Sequence, residues 1–300
     1  LLSIKLSVVG FVLCAISAAA FVQPSSTLKP DPPIECSDCK EWNAPQPPFK
    51  VFGNTYYVGV AGLSSVLIAS DAGLILIDGA LPQSAPLIDA NIRSLGFHTE
   101  DIRVIVISHE HYDHVAGVAA LQRASGATVA TSEPAARALA MGRPTPEDPQ
   151  SKSPSFPPVK NVKAVADGEV LRAGPLSITG HFTPGHTPGA MTWTWQSCEG
   201  QRCLNMVYAD SLNPVSEDGF RYTDRPSRVA DFRTAIEKLE KMPCDVLLAS
   251  HPSAVDMAGK LARWKNDPST NPFIDATACR AYAATAHKRL DARVAEELKN

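Results

Sequence analysis

Hydrophobic and polar positions along the chain follow two rhythms. Residues 55–60 (TYYVGV), 64–70 (SSVLIAS) and 73–79 (GLILIDG) are short runs rich in β-branched and aromatic side chains. Glycine or Asp-Ala-Gly breaks separate them, so they predict three strands. Residues 85–95 then change to helical spacing, with Ile88, Ile92 and Leu95 on one side and Gly96 as the stop. The run 102–107 (IRVIVI) predicts a buried strand, and Val118 and Leu121 mark a helix that Gly126 ends. A strand at 127–131 and a helix at 134–141 follow. The second half restarts the strand rhythm at 161–166, 169–173, 176–183, 191–197 and 204–209. Residues 227–241 predict a helix with Val229, Phe232, Ile236 and Leu239 inside, and 245–250 (DVLLAS) a buried strand. From about residue 276 a long helix turns Tyr282, Ala286, Leu290 and Val294 inward. Two similar halves, each strand-rich first and then mixed, predict an α/β fold of two sheets packed face to face with helices outside.

Two stretches lack either rhythm. Residues 23–48 are rich in proline and predict an extended leader across the surface. Residues 142–158 (GRPTPEDPQSKSPSFPP) hold six prolines and form an irregular loop, either a lid over a site or a plain crossover.

The polar residues that interrupt these patterns collect at the C-terminal ends of buried strands. One strand ends in Asp78 and another in Ser108-His109; others lead into Pro184-Gly185-His186, Asp210-Ser211 and His251-Pro252. The densest group is SHEHYDHVAG at 108–117, which sets His109, His111, Asp113 and His114 within six residues, between a buried strand and a helix. Imidazole is a good zinc ligand and a carboxylate oxygen can complete the set. Asp113 alone would read as a helix cap; the cluster as a unit reads as metal ligands. Glycine and proline around His186 let the backbone bend sharply enough to aim its ring. With His251 there are six ligands, enough for two metals with open positions for water. His98, His181 and His287 lack such context and read as ordinary surface or packing histidines. Trp193 and Trp195 share one strand face and read as packing.

Composition narrows the function class. The chain has 300 residues, 44% hydrophobic and 20% charged, which is ordinary for a globular protein. A net charge of −3 supplies no basic field for nucleic acid or anionic membrane. Lys5, an apolar stretch from Leu6 to Ile16 and small residues through Ala20 form the layout of a secretory signal peptide over residues 1–20. The expected location is therefore periplasmic or secreted, without stable membrane association once the signal is removed. Loss of Cys14 with the signal leaves six of the seven cysteines, and disulfides are the default in an exported chain. Cys198 and Cys203 flank a short polar turn that a bridge could close, and Cys244 and Cys279 remain as a longer pair. Cys36 and Cys39 form a C-x-x-C with no helix behind it, read as a local disulfide or two free thiols.

LIDGA, SHEHYDH, TPGHTPG, YADSL and SHP, in this order, resemble the metallo-β-lactamase superfamily. The likeness is strongest to the third subclass of class B β-lactamases, dizinc enzymes without a cysteine ligand. It rests there on TWTWQSCEGQRC, YADSLNPVS and the pairing of Cys244 with Cys279. The resemblance implies an αβ/βα four-layer sandwich, as one domain over 49–300 behind a leader at 21–48. It implies His109, His111 and His186 on a first zinc and Asp113, His114 and His251 on a second. Asp78 would be hydrogen-bonded to a ligand histidine to fix its tautomer, and Ser211 and Asn213 would contact the substrate carboxylate. Glu110 and Tyr112 receive no role. The implied reaction is hydrolysis of the β-lactam amide of penicillins, cephalosporins and carbapenems by a metal-bound hydroxide oriented by Asp113, without a covalent intermediate. A thioesterase of the glyoxalase II kind or a lactonase on the same scaffold is the alternative; there the aspartate near position 210 would bridge both metals. Nucleases of the scaffold would want a basic groove that this chain lacks, and a purely structural zinc site would close at four ligands.

Overall fold

The computed structural model describes residues 28–299; the predicted signal peptide lies outside them. Seven strands form the first sheet in sequence order: β1 (Phe49–Phe52), β2 (Thr55–Tyr57), β3 (Val66–Ser70), β4 (Gly73–Ile77), β5 (Ile102–Val106), β6 (Thr128–Thr131) and β7 (Lys163–Ala164). From β1 to β4 neighbours run antiparallel, and from β4 to β7 parallel. The second sheet has the order β12-β11-β10-β9-β8, built from β8 (Val170–Ala173), β9 (Leu176–Phe182), β10 (Met191–Glu199), β11 (Arg202–Ala209) and β12 (Val246–Ala249). Eight α-helices complete the described chain: α1 (Cys39–Trp42), α2 (Ala85–Ser94), α3 (Tyr112–Val115), α4 (Val118–Ser125), α5 (Glu133–Met141), α6 (Pro226–Glu240), α7 (Met257–Asn266) and α8 (Ala278–Glu297).

Strand periodicity sorts the apolar side chains into three cores. Leu67, Leu76, Ile105 and Val129 point to one face of the first sheet, where Ile88 and Ile92 of α2, Leu121 of α4 and Leu139 of α5 cover them. Val66, Ile68, Ile77 and Val106 point to the other face and meet Ile178, Trp193, Met206 and Tyr208 of the second sheet. The outer face of that sheet, Val207, Leu247 and Ala249, packs on Phe232 and Ile236 of α6 and Ala286 and Leu290 of α8. The layers are therefore αβ/βα. β4 and β12 are buried at every position because both faces are covered. β8 alternates exposed and buried at the sheet edge.

Both indoles lie between the sheets, with Trp193 Nε1 donating to the Ile107 carbonyl at 2.8 Å and Trp195 Nε1 to Thr55 Oγ1 at 2.9 Å. Among the described residues there are three disulfides: Cys36–Cys39, Cys198–Cys203 across the β10–β11 turn, and Cys244–Cys279 between the residues leading into β12 and α8. No helix among the described residues is long and apolar enough to cross a membrane.

Three local expectations change. The apolar run at 161–166 pairs only through Lys163 and Ala164, both exposed at the edge. α7 is an element beyond the expected ones; Met257, Leu261 and Trp264 stand at helical spacing in it and pack on the inter-sheet core, although Gly259 interrupts the run. The proline-rich leader is not simply extended: Leu28, Ile34, Cys36 and Trp42 pack on the first core, and a helical turn does follow the C-x-x-C.

Candidate metal centre

The ends of β4, β5, β11 and β12 and the loop after β9 converge on one rim of the sandwich. β5 stops at Val106, and the next residues turn through Ser108 and His109 into α3, whose N-cap position is His111. Asp113 lies inside α3, and Gly117 precedes α4, so Asp113 caps neither helix. Gly117 is required here: a Cβ would come within 2.1 Å of the Gly79 carbonyl oxygen. That close approach locks the histidine turn onto the end of β4.

Ligand-type atoms of His109, His111 and His186 all lie within 4.8 Å of one another, and so do those of His109, Asp113 and His114. Asp113 Oδ2 is 3.1 Å from His114 Nε2 and 3.3 Å from His251 Nε2, and the two Nε2 atoms are 3.3 Å apart. Four-coordinate zinc with bonds of about 2.0–2.2 Å spaces its ligand atoms by about 3.3 Å. The Asp113–His114–His251 triangle thus has the dimensions of one face of a tetrahedral site. His109 Nε2, fully buried, has no hydrogen-bond partner. An orphaned imidazole nitrogen in a dry cluster costs free energy unless a cation or donor meets it. The donor set, imidazoles with one carboxylate and no thiolate, fits zinc.

Electrostatics keep much of the cluster ready for a cation. Burial and the neighbouring His111 push His186 down to about 3. Burial, then His114 and His186, hold His109 well below its ordinary value. Both rings are neutral at pH 7 with lone pairs available. Burial alone would raise the Asp113 carboxyl, but His114 and His251 carry it well below the carboxylate range, so it is anionic.

The surrounding groups depart from expectation at Asp78. Its carboxylate makes no hydrogen bond to a histidine; the nearest ring nitrogen, His114 Nδ1, is 3.8 Å away. Asp78 has φ 60°, and this left-handed turn at the end of β4 aims Oδ1 at Ser108 N (2.6 Å) and Oδ2 at Ser108 Oγ (2.7 Å) and Tyr208 OH (2.8 Å). It fixes the turn that carries the histidines. The carboxylates that do meet histidines are Asp210, with Oδ1 2.8 Å from His109 Nδ1 though not aligned as a hydrogen bond, and Asp148, with oxygens 3.1 and 3.2 Å from His111 Nε2.

Asp148 comes from the proline-rich 142–158 loop, which therefore forms a wall of the site. Glu110 is fully buried, accepting from Thr187 Oγ1 (2.7 Å) and Gly189 N (2.9 Å), and so ties the His186 loop to the first cluster. The His186 ring is held from its other side by the Asn213 carbonyl, 2.8 Å from Nδ1. Above the cluster is a cleft of about 620 Å³ whose lining includes Trp42, Gln150, Ser211, Asn213, Tyr282 and Arg289. Asp210 is not among its lining residues. Sequence reasoning missed Trp42, Glu110 and Asp148. Glu110 could have been found from its place between two candidate ligands at the end of a buried strand; the other two carry no spacing signal.

A sequence profile of the metallo-beta-lactamase superfamily matches residues 58–195, the segment holding three of the five converging strand ends. A solved structure described as Rm3 metallo-beta-lactamase is 51% identical, with a TM-score of 0.85, covering 88% of this chain and 99% of that one. The chain belongs to the metallo-beta-lactamase superfamily. MEM-A1, a subclass B3 metallo-beta-lactamase from a soil metagenome library, is 48% identical with a TM-score of 0.83, covering 86% of this chain and 99% of its own. MIM-1 from Novosphingobium pentaromativorans is 41% identical with a TM-score of 0.81, covering 86% and 93%. The clustered histidines and aspartate have the ligand types and spacing that can hold a metal ion, in keeping with a superfamily of metal-dependent enzymes. The chain is a metal-dependent hydrolase.

Proposed function

We propose that the protein hydrolyses the β-lactam amide bond of penicillins, cephalosporins and carbapenems with two zinc ions. His109, His111 and His186 hold the first ion, and Asp113, His114 and His251 the second. The observation that carries this reading is the pair of three-residue ligand sets meeting at one rim, in a chain 51% identical to a metallo-beta-lactamase over nearly its whole length. Bound zinc supplies a Lewis acid and lowers the pKa of its water from about 15.7 to about 7. Asp113 is the anionic acceptor in the cluster and orients the attacking water by taking its hydrogen bond. Ser211 and Asn213 line the same cleft and face the substrate carboxylate, while Trp42 and Tyr282 wall off bulk water. The Asn213 carbonyl bonded to His186 links the substrate wall to the first ligand set.

The place of Asp210 supports a lactamase over a thioesterase built around a metal-bridging aspartate. It stands behind His109, fully buried and outside the cleft, while Ser211 lines the cleft. The three disulfides agree with export to an oxidising compartment, periplasmic or outside the cell, after loss of residues 1–20. The test is metal content measured together with imipenem hydrolysis before and after dialysis against EDTA. The expected result is two zinc ions per chain and activity that disappears with them and returns on zinc addition. Hydrolysis that persists in fully zinc-depleted protein refutes the proposal, as does turnover of S-lactoylglutathione without turnover of nitrocefin.

A further inference from the structure

A second cavity, of about 240 Å³, lies beside the cleft between α7, α8 and the turn after His251. It shares Ala254, Tyr282 and Arg289 with the cleft lining, so the two spaces adjoin. Its lining also includes Lys260, Asp275 and Thr285. Lys260 is only 8% exposed, and its amine makes no hydrogen bond or ion pair; it lies 5.4 Å from the centroid of the Phe273 ring. Arg289, at the junction of the two spaces, likewise has no hydrogen-bond or ion-pair partner, and among the described residues it is the one Lys or Arg lining the cleft. Neither amine nor guanidinium is sealed from solvent, and two cations without partners lining one cavity offer charge-assisted hydrogen bonds to an anion that enters it.

The local carboxylates do not fill this role. Asp275 accepts from Thr277 N at 2.8 Å and Thr277 Oγ1 at 2.6 Å, and Asp256 is paired with Arg263 at 3.0 Å. Burial pushes the Lys260 ammonium below its ordinary value, with Asp275 opposing the shift. That is the direction expected of an amine desolvated without a close partner. The cavity has room for on the order of eight water molecules, enough for a short chain ending in a carboxylate.

We infer that this cavity is an anion subsite opening off the cleft, in which Lys260 and Arg289 receive a carboxylate at the end of a β-lactam side chain. The identity of the substrate rests on the proposed function; the anion site itself does not. Two sources of the anion are separable, the substrate's own side chain and a free anion such as sulfate.

The test uses zinc-loaded protein and two penicillins whose acyl side chains differ only in ending with a methyl or a carboxylate. Lys260→Met is expected to raise KM for the carboxylate-ended compound by about tenfold, with KM for the methyl-ended one and both kcat values within about twofold. Lys260→Arg keeps the charge and restores most of the difference. Should Lys260→Met not fold, Lys260→Gln reads the same split. In parallel, sulfate is titrated at constant ionic strength while the amide resonances of Ala281 and Thr285 are followed. A KM split assigns the subsite to the substrate. Saturable sulfate shifts that vanish in Lys260→Met without a KM split assign it to a free anion. If neither penicillin is hydrolysed but the sulfate response depends on Lys260, the anion site stands and the lactamase reading falls. No KM split and no Lys260-dependent sulfate response overturns the inference.

Discussion

Replacing Asp148 tests whether the 142–158 loop belongs to the metal centre or merely lies over it. The Asp148 carboxylate is buried and meets His111 Nε2 through both oxygens, at 3.1 and 3.2 Å, while also accepting from Gln150 N at 2.7 Å. Burial would raise this carboxyl, but the hydrogen bond and charge of His111 hold it below the usual range, so it is ionised. An ionised acceptor on one ring nitrogen makes the other more basic and fixes the tautomer that can bind a cation. Asp148→Asn keeps the shape and one acceptor oxygen but removes the charge. Losing such a partner typically weakens metal binding by about 10- to 100-fold. The asparagine belongs at the lower end, about tenfold or about 1.4 kcal/mol. Asp148→Ala also leaves the Gln150 N–H and the His111 ring without their acceptor and belongs near the upper end. Competition against a chromophoric zinc chelator gives the affinities, and melting of the EDTA-treated variants separates a weakened site from a damaged fold. Zinc affinities of both variants within about twofold of the parent would refute the reasoning, because the contact would then carry no charge-dependent coupling.

Other substitutions probe the frame around the cluster. Glu110→Ala strands the Gly189 N–H and the Thr187 hydroxyl and is expected to destabilise the protein by about 2–4 kcal/mol in a denaturant melt. Glu110→Gln, which can still accept from Gly189 and donate to Thr187, should retain most of the stability; equal losses in the two variants would argue against a hydrogen-bonding role. Trp42→Ala removes a cleft wall whose ring centroid lies 5.5 Å from that of His251, and steady-state kinetics should show KM rising by about tenfold with a smaller change in kcat. His186 gives a pH prediction: folded it titrates at about 3, against about 6.5 when unfolded. Between these values the unfolded chain binds more protons, so the stability contributed by neutral His186 is lost as pH falls. The stability of EDTA-treated parent relative to His186→Asn should drop by up to about 2 kcal/mol between pH 6.5 and 5. A difference that stays constant with pH would show that the buried ring is already protonated or already hydrated.

What the sequence made legible was whatever a periodic backbone imposes. Strands β3, β4, β5 and β12 are continuous or alternating apolar runs, so their ends, and the polar residues standing there, could be read directly. The histidine cluster was legible because its members are neighbours in the chain. Contacts made across the fold were not. Asp148 and Trp42 reach the site from proline-rich stretches, where no period says which way a side chain points. Lys260 sits on α7, a short helix whose apolar stripe of Met257, Leu261 and Trp264 is interrupted by Gly259 and carries no sign that a lysine beside it turns inward. For Asp78 the sequence pointed to the right residue and the wrong partner. A carboxylate at a strand end beside histidines could equally bond a ring or a backbone amide, and the φ of 60° that chooses the Ser108 amide is a property of the folded turn.

That choice explains how ligands from two sheets keep a common geometry. His109, His111, Asp113 and His114 follow β5 of the first sheet, whereas His186 and His251 follow β9 and β12 of the second. A slip between the sheets of even an ångström would open the 3.1–3.3 Å triangle of Asp113, His114 and His251. Four buried bonds oppose that slip within a few residues of the cluster. Tyr208 OH donates to Asp78 at 2.8 Å, Trp193 Nε1 to the Ile107 carbonyl at 2.8 Å, and Met191 N to the Ser108 carbonyl at 2.7 Å, while Gly189 N donates to Glu110 at 2.9 Å. Each joins a donor on or just before a strand of the second sheet to an acceptor at the end of β4 or just after β5. Because these groups are buried, breaking any one exposes no water to replace it, and the cost of an unmade bond falls on the sheet-to-sheet register. Ligand spacing is thus set by the same polar contacts that join the two halves of the sandwich.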